Sequence, residues 1–334
     1  MDNLTHSLTA VLLSRAGLNR LAPHAGWLAV AAANVPDLDI VSGSTGALDY
    51  LAVHRGFTHA LLFFPLAALV PLPLWWLLAR KLKPTRRQWL GAYAVSLAAA
   101  ASHLALDFLN VYAIRLLLPF SSRWLHLDLV HIIDVWIWAL LLVCALGPLL
   151  ARLVYSEIGA RPGSGRGMAA TGLLLLCLYL GGRAWLHDQA LATLESRLYQ
   201  HEAPLRVLAL PSPANPWSWT GVVETPRSWR VLPVNLLGDF DPEAGQSWYK
   251  PDSAPIDAAV RRSATGRVFL DFSQAPLWRL TPASTPEGGL RVRVYDLRFG
   301  LPGRGAFGME AILDSSGKVV RQRFRFGDME DGER

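Results

Sequence analysis

Six consecutive residues, His54-Arg55-Gly56-Phe57-Thr58-His59, place two imidazoles, a guanidinium and a threonine hydroxyl just ahead of an apolar run that begins at Ala60. Polar groups at the mouth of a membrane helix are costly unless something uses them, so this stretch reads as part of a metal site. Other candidate ligands recur along the chain. His6 lies near the start, Asp37 and Asp39 flank Leu38 after Pro36, and His103 and Asp107 stand four residues apart, on one face of a helix. His131 and Asp134 stand three apart at the start of a later apolar run. Imidazole and carboxylate donors without thiolates suit Zn²⁺, Mn²⁺ or Fe²⁺. The candidates His6, Asp37, Asp39, His54, His59, His103, Asp107 and Asp134 exceed the four positions of one closed zinc site, so two or more ions are expected.

Such a site lowers the pKa of bound water and clamps both oxygens of an in-line displacement, the usual arrangement for phosphoester hydrolysis. Arg55 fits a clamp on a phosphate oxygen and Asp39 a catalytic carboxylate. Thr5 and Thr58 immediately precede His6 and His59, and with Asp128 and His131 they are read as residues that orient the ligands. Asp37 and Asp39 would also serve as turn residues after Pro36.

The elements that must hold these residues are apolar. Of the 334 residues 52% are hydrophobic and only 17% charged, and the apolar residues concentrate before about residue 187. Residues 3–17 read as a short helix capped by Asn3 or Thr5 and stopped at Gly17, and residues 26–35 as a second. Both are shorter than the roughly 20 residues that span a bilayer. Longer spans are expected over 60–79, with Pro65, Pro71 and Pro73 as kinks, and over 88–111, 130–155 and 168–186. Residues 187–200 read as a short amphipathic helix or linker. Beyond them strand-like alternation appears at 229–235, 267–272 and 290–299, with a closing hairpin over 308–326. The expected architecture is an α-helical polytopic membrane bundle over 1–189, with four long spans and an N-terminal helical hairpin, followed by a small β-rich soluble domain over 190–334.

Charge gives that bundle a direction. Threaded as six passes, one side collects ten of the fourteen basic residues before residue 190, namely Arg15, Arg20, Arg80, Lys81, Lys83, Arg86, Arg87, Arg152, Arg161 and Arg166. The positive-inside rule makes that side cytoplasmic. The other side collects eight of nine acids and nearly all the histidines, so the metal site and the β-rich domain are expected to be extracytoplasmic. The net charge of +6 comes from scattered residues and loops, which argues against nucleic acid as a partner and for membrane lipids. Cys144 and Cys177 both lie in apolar runs, which excludes a disulfide framework and finger-type zinc ligation. Residues 1–14 carry no Lys or Arg, so the N-terminus is read as mature sequence.

Asp2-x-x-Thr-His6, Pro36-Asp37-Leu38-Asp39, the hexad from His54 to His59 and His103-x-x-x-Asp107 together resemble the YdjM-type membrane-bound, metal-dependent hydrolases, over roughly residues 1–190. That resemblance implies an inner-membrane location and a metal-dependent hydrolase. The order His, Asp, His, His-x-x-x-Asp is also similar to the zinc-dependent phospholipase C and P1-nuclease group. By that similarity His6, Asp37 or Asp39, His59, His103 and Asp107 would be ligands, while the spacing of His131 and Asp134 departs from that group's pattern. A lipid-linked phosphoester is the expected substrate. Two other readings compete: an ion-coupled transporter, which would spread its polar residues through the membrane depth, and a metal-dependent scaffold without turnover.

Overall fold

The computed structural model describes residues 1–157, 164–252, 254–302 and 307–326. Arg161, counted above among the basic loop residues, lies outside them. Ten α-helices are described: α1 Asn3–Ala16, α2 Ala25–Asn34, α3 Ala47–Val53, α4 Phe64–Ala67, α5 Leu72–Ala79, α6 Arg86–Phe108, α7 Val135–Glu157, α8 Arg166–Glu195, α9 Ala254–Arg262 and α10 Ala264–Phe272. Eight strands accompany them: β1 Arg206–Pro211, β2 Ser218–Glu224, β3 Ser228–Asn235, β4 Gln246–Tyr249, β5 Pro276–Pro282, β6 Leu290–Asp296, β7 Phe307–Leu313 and β8 Val319–Phe326. The chain divides into two compact units. The first comprises Met1–Asp39, Arg55–His187 and Pro211–Pro216, and the second Ile40–His54, Asp188–Leu210 and Trp217–Arg334.

Among the described residues three helices are long and apolar enough to cross a membrane, α6, α7 and α8. A fourth crossing requires that the bent pair Ala47–His59 and Phe64–Leu82 count as one. The stretch expected over 60–79 as a span kinked at its prolines is broken at those prolines. Pro65 and the Pro71/Pro73 pair each sit at the start of a short helix, where a missing N–H costs nothing, and the run breaks into α4 and α5. The N-cap of α1 is Asp2 instead of Asn3 or Thr5, because the Asp2 carboxylate accepts the Thr5 N–H at 3.0 Å. It stops at Gly17 as expected. Helix α6 opens with a reciprocal capping box between Thr85 and Gln88. Helix α8 absorbs the expected linker and runs through Glu195.

Small side chains hold this unit together. Ala29, Ala32 and Ala33 of α2 and Ala92, Val95 and Ala99 of α6 belong to one buried cluster, so the backbones approach closely. Gly91 of α6 is equally tight against the turn that precedes α2: a Cβ there would lie 2.2 Å from the Leu21 carbonyl oxygen. Asp134 caps α7 by accepting from the N–H groups of Trp136 and Ile137, and Trp138 reaches back to Asp2 and Thr5 at 3.1 Å each.

The second unit carries two four-stranded sheets in meander order, β1-β2-β3-β4 and β5-β6-β7-β8. The hairpin expected over 308–326 is β7–β8. The strand expected over 267–272 is instead part of α10. Ser263 caps that helix by accepting the Gly266 N–H, and Phe269 and Phe272, three residues apart, share a buried face against Phe307. Short apolar runs carry both periods, and here tertiary packing decides for the helix.

Candidate metal centre

Three segments of the first unit bring four side chains to one point. The turn after α2 supplies Asp37, the 3₁₀ turn Phe57–His59 supplies His59, and the last two turns of α6 supply His103 and Asp107. His59, His103 and Asp107 are fully buried, and the Asp37 side chain keeps 12% exposure. The two Nε2 atoms of His59 and His103 stand 3.0 Å apart. Asp107 Oδ2 lies 3.3 and 3.4 Å from them, and Asp37 Oδ1 3.5 and 3.6 Å. Four atoms placed tetrahedrally around an ion at about 2.0–2.1 Å stand roughly 3.4 Å from one another. These five edges bracket that value.

The proton positions follow from the partners on the far side of each ring. His103 Nδ1 lies 2.6 Å from the carbonyl oxygen of Ala33, which can only accept, so this nitrogen carries the proton. Thr58 donates its hydroxyl proton to Asp39 Oδ2 at 2.7 Å and therefore accepts from His59 Nδ1 at 2.9 Å. Each imidazole then presents an Nε2 lone pair inward, where two carboxylate oxygens also point. Asp107 Oδ2 has no hydrogen-bond partner. Four lone-pair donors, three of them fully buried, without a proton between them repel one another, and a divalent cation is the charge that fits their number, spacing and chemistry. The outer hydrogen bonds that fix ring orientation and tautomer are those of metal-ligating histidines generally.

The remaining candidates are distributed around this quartet. His6 stacks on His103 with ring centroids 3.7 Å apart, and its Nε2 lies 3.3 Å from Asp107 Oδ1. Neither ring nitrogen of His6 has a hydrogen-bond partner. The Met1 amino group also lies against Asp107 Oδ1. Asp39 is not one of the four converging donors. It accepts from the Arg55 N–H at 3.0 Å and from Thr58, which makes it a support for the His59 loop. Arg55, with φ of 59°, is buried and holds Asp107 Oδ1 and Asn110 Oδ1 at 3.1 Å each, so its guanidinium is committed to the ligand frame rather than to a phosphate. Asp134 is spent on the α7 cap and on the Tyr179 hydroxyl at 2.9 Å, which corrects its expected ligand role. His54 belongs to the second unit, its ring stacked on Tyr50 at 4.5 Å. Thr5 bonds to Asp2 at 2.7 Å, Asp128 pairs with His126 at 2.7 Å, and His131 bonds to the backbone of Ile133. None of these three belongs to the quartet. Asn110, which links Arg55 to Asp107, was missed; its place three residues after Asp107 near the helix end was the available signal.

The family model of the YdjM inner membrane protein matches residues 1–190, and the chain belongs to that family. It is therefore a membrane protein with a His/Asp cluster able to hold a metal ion. An uncharacterized protein, YfhP of Bacillus subtilis, is 29% identical over 151 residues, 41% of this chain and 43% of its own length. The chain thus spans less than half of that relative. No solved structure matches.

Proposed function

We propose that the chain is a multi-pass, membrane-bound, metal-dependent hydrolase of phosphoesters carried on lipids, with zinc at the His/Asp quartet and the site on the extracytoplasmic side. The observation that carries this reading is the convergence of four lone-pair donors at tetrahedral spacing, with both imidazole protons turned outward. When bound, the ion would lower the pKa of a water and polarise a phosphoryl oxygen. The chain's own residues do the positioning. Thr58 and Asp39 hold the His59 tautomer, the Ala33 carbonyl holds that of His103, and Arg55 with Asn110 holds Asp107. Asp37, the one member of the quartet with side-chain exposure, marks the side from which water and substrate would enter. The charge sorting of the loops supports the orientation, and the apolar helices on which the site is built support a lipid-linked substrate.

One observation favours a second reading. Four protein ligands close a zinc site, whereas catalytic zinc keeps a position open. A structural ion in a scaffold without turnover would use this same quartet.

Elemental analysis and phosphoesterase assays on detergent-purified full chain separate the possibilities. We expect bound zinc in the wild type, none in His59→Ala or His103→Ala, and hydrolysis of a soluble phosphomonoester or of phospholipid in mixed micelles that disappears with the metal. Zinc without turnover on either substrate would select the scaffold. No metal in protein purified without chelator would sink both.

A further inference from the structure

The sheet β5–β8 has two faces of opposite character. Its register aligns Trp278, Val294, Met309 and Phe324 in one row, and on this side Phe269 of α10 meets Phe307 and Phe324. On the other side Arg279, Arg293, Glu310 and Arg323 stand in register across all four strands. Arg291 and Arg321 align through Ile312 in the next row, and Arg325 stands opposite Gly308 in the row beyond. Six arginines therefore share this face with one carboxylate.

The charges do not balance locally. Glu310 is buried and faces Arg293 at 2.8 Å, Arg323 at 2.9 Å and Arg291 at 4.0 Å, so one negative charge is divided among three guanidinium groups. Arg279, Arg321 and Arg325 are exposed, and among the described residues they have no carboxylate partner. Arg279 stands directly across from Arg293, a like-charge cross-strand pair that costs stability unless an anion lies over it. Composition does not force this. After residue 190 the chain carries 18 basic and 17 acidic residues, so the basic face is a segregation within an almost neutral stretch.

We infer that this arginine face docks on an anionic lipid bilayer through its phosphate headgroups. Guanidinium groups match phosphate oxygens bidentately and are less strongly hydrated than ammonium groups. The sheet belongs to the same chain as three helices able to cross a membrane, which holds a phosphate-bearing surface at high effective concentration. The inference is independent of the metal reading.

The test uses the full chain with Cys144 and Cys177 replaced by alanine and a donor dye at Ser315→Cys, in the β7–β8 turn. It is reconstituted in nanodiscs of phosphatidylcholine, or of phosphatidylcholine doped with phosphatidylglycerol, that carry acceptor-labelled headgroups. Energy transfer is expected to rise roughly twofold with anionic lipid. The rise should vanish in high salt and in Arg279→Gln/Arg321→Gln/Arg325→Gln, and persist in Arg227→Gln/Arg261→Gln, which removes two charges elsewhere in the same unit. Near-ultraviolet dichroism checks that the exposed-site variants keep the fold. No dependence on lipid charge, or an equal rise in the triple variant, would overturn the inference. So would wild-type affinity for a single-stranded oligonucleotide, lost in the triple variant, without any response to lipid.

Discussion

Asp296 in the second unit and Asp107 in the first are both fully buried, yet their surroundings neutralise them in different ways. Asp296 meets Arg298 at 2.7 Å, and that guanidinium lies within 4.9 and 4.8 Å of the ring centroids of Phe272 and Phe299. Glu310, a few strand residues away, sits among three arginines. In the second unit, then, buried carboxylates find their counter-charge within the chain. In the first, Asp107 gives one oxygen to Arg55, while the other faces two imidazole nitrogens whose protons are held elsewhere. Oppositely charged partners complete a site by themselves, whereas converging lone pairs leave it to be completed by a cation. Burial alone does not distinguish the two cases; the direction of the protons does.

The largest effects should come from disturbing each arrangement in turn. Asp296→Asn leaves Arg298 buried without its counter-charge and is expected to destabilise the second unit by about 3–5 kcal/mol. Denaturant unfolding followed by near-ultraviolet dichroism would measure this, and chelator should not change the result. Zinc at a thousand times its dissociation constant should stabilise the first unit by about 4 kcal/mol. Chelation should remove that increment from the wild type and have nothing to remove in His103→Ala. Equal chelator sensitivity in both units would break the comparison.

A smaller effect sharpens it. Thr58→Val removes the link between Asp39 and His59 without touching a donor atom, and should weaken metal affinity about 10–100-fold. Competition against a chromophoric chelator reads this directly, and an unchanged affinity would mean that the His59 tautomer is set by something else.

The smallest concerns acid. Burial on its own raises the Glu310 carboxyl, but the hydrogen bonds from Arg293 and Arg323 outweigh it and hold the group below the ordinary carboxylate range. A depressed folded-state pKa contributes stability that is fully present above the unfolded-state value and is lost as pH falls through the folded-state value. Stability of the second unit should therefore decline on acidification through that interval, and Glu310→Gln should flatten that part of the curve.

What the sequence determined by itself was local. Helix spacing put His103 and Asp107 on one face of α6, alternation marked β3, β6 and the β7–β8 hairpin, and turn chemistry ended α1 at Gly17. These depend on periods and on residues a few positions apart, which any window of the chain contains. Tertiary structure decided which acids converge with the histidines. Asp134 and Asp37 are indistinguishable as carboxylates beside apolar helices, because a helix N-terminus and a metal ion both favour negative charge. Only the close approach of the alanine faces of α2 and α6 brings the Ala33 carbonyl to His103 and so turns its free lone pair toward Asp37 and His59. The same limit applies to 267–272, where an ambiguous run became a helix because Phe269 and Phe272 had a sheet face to pack against.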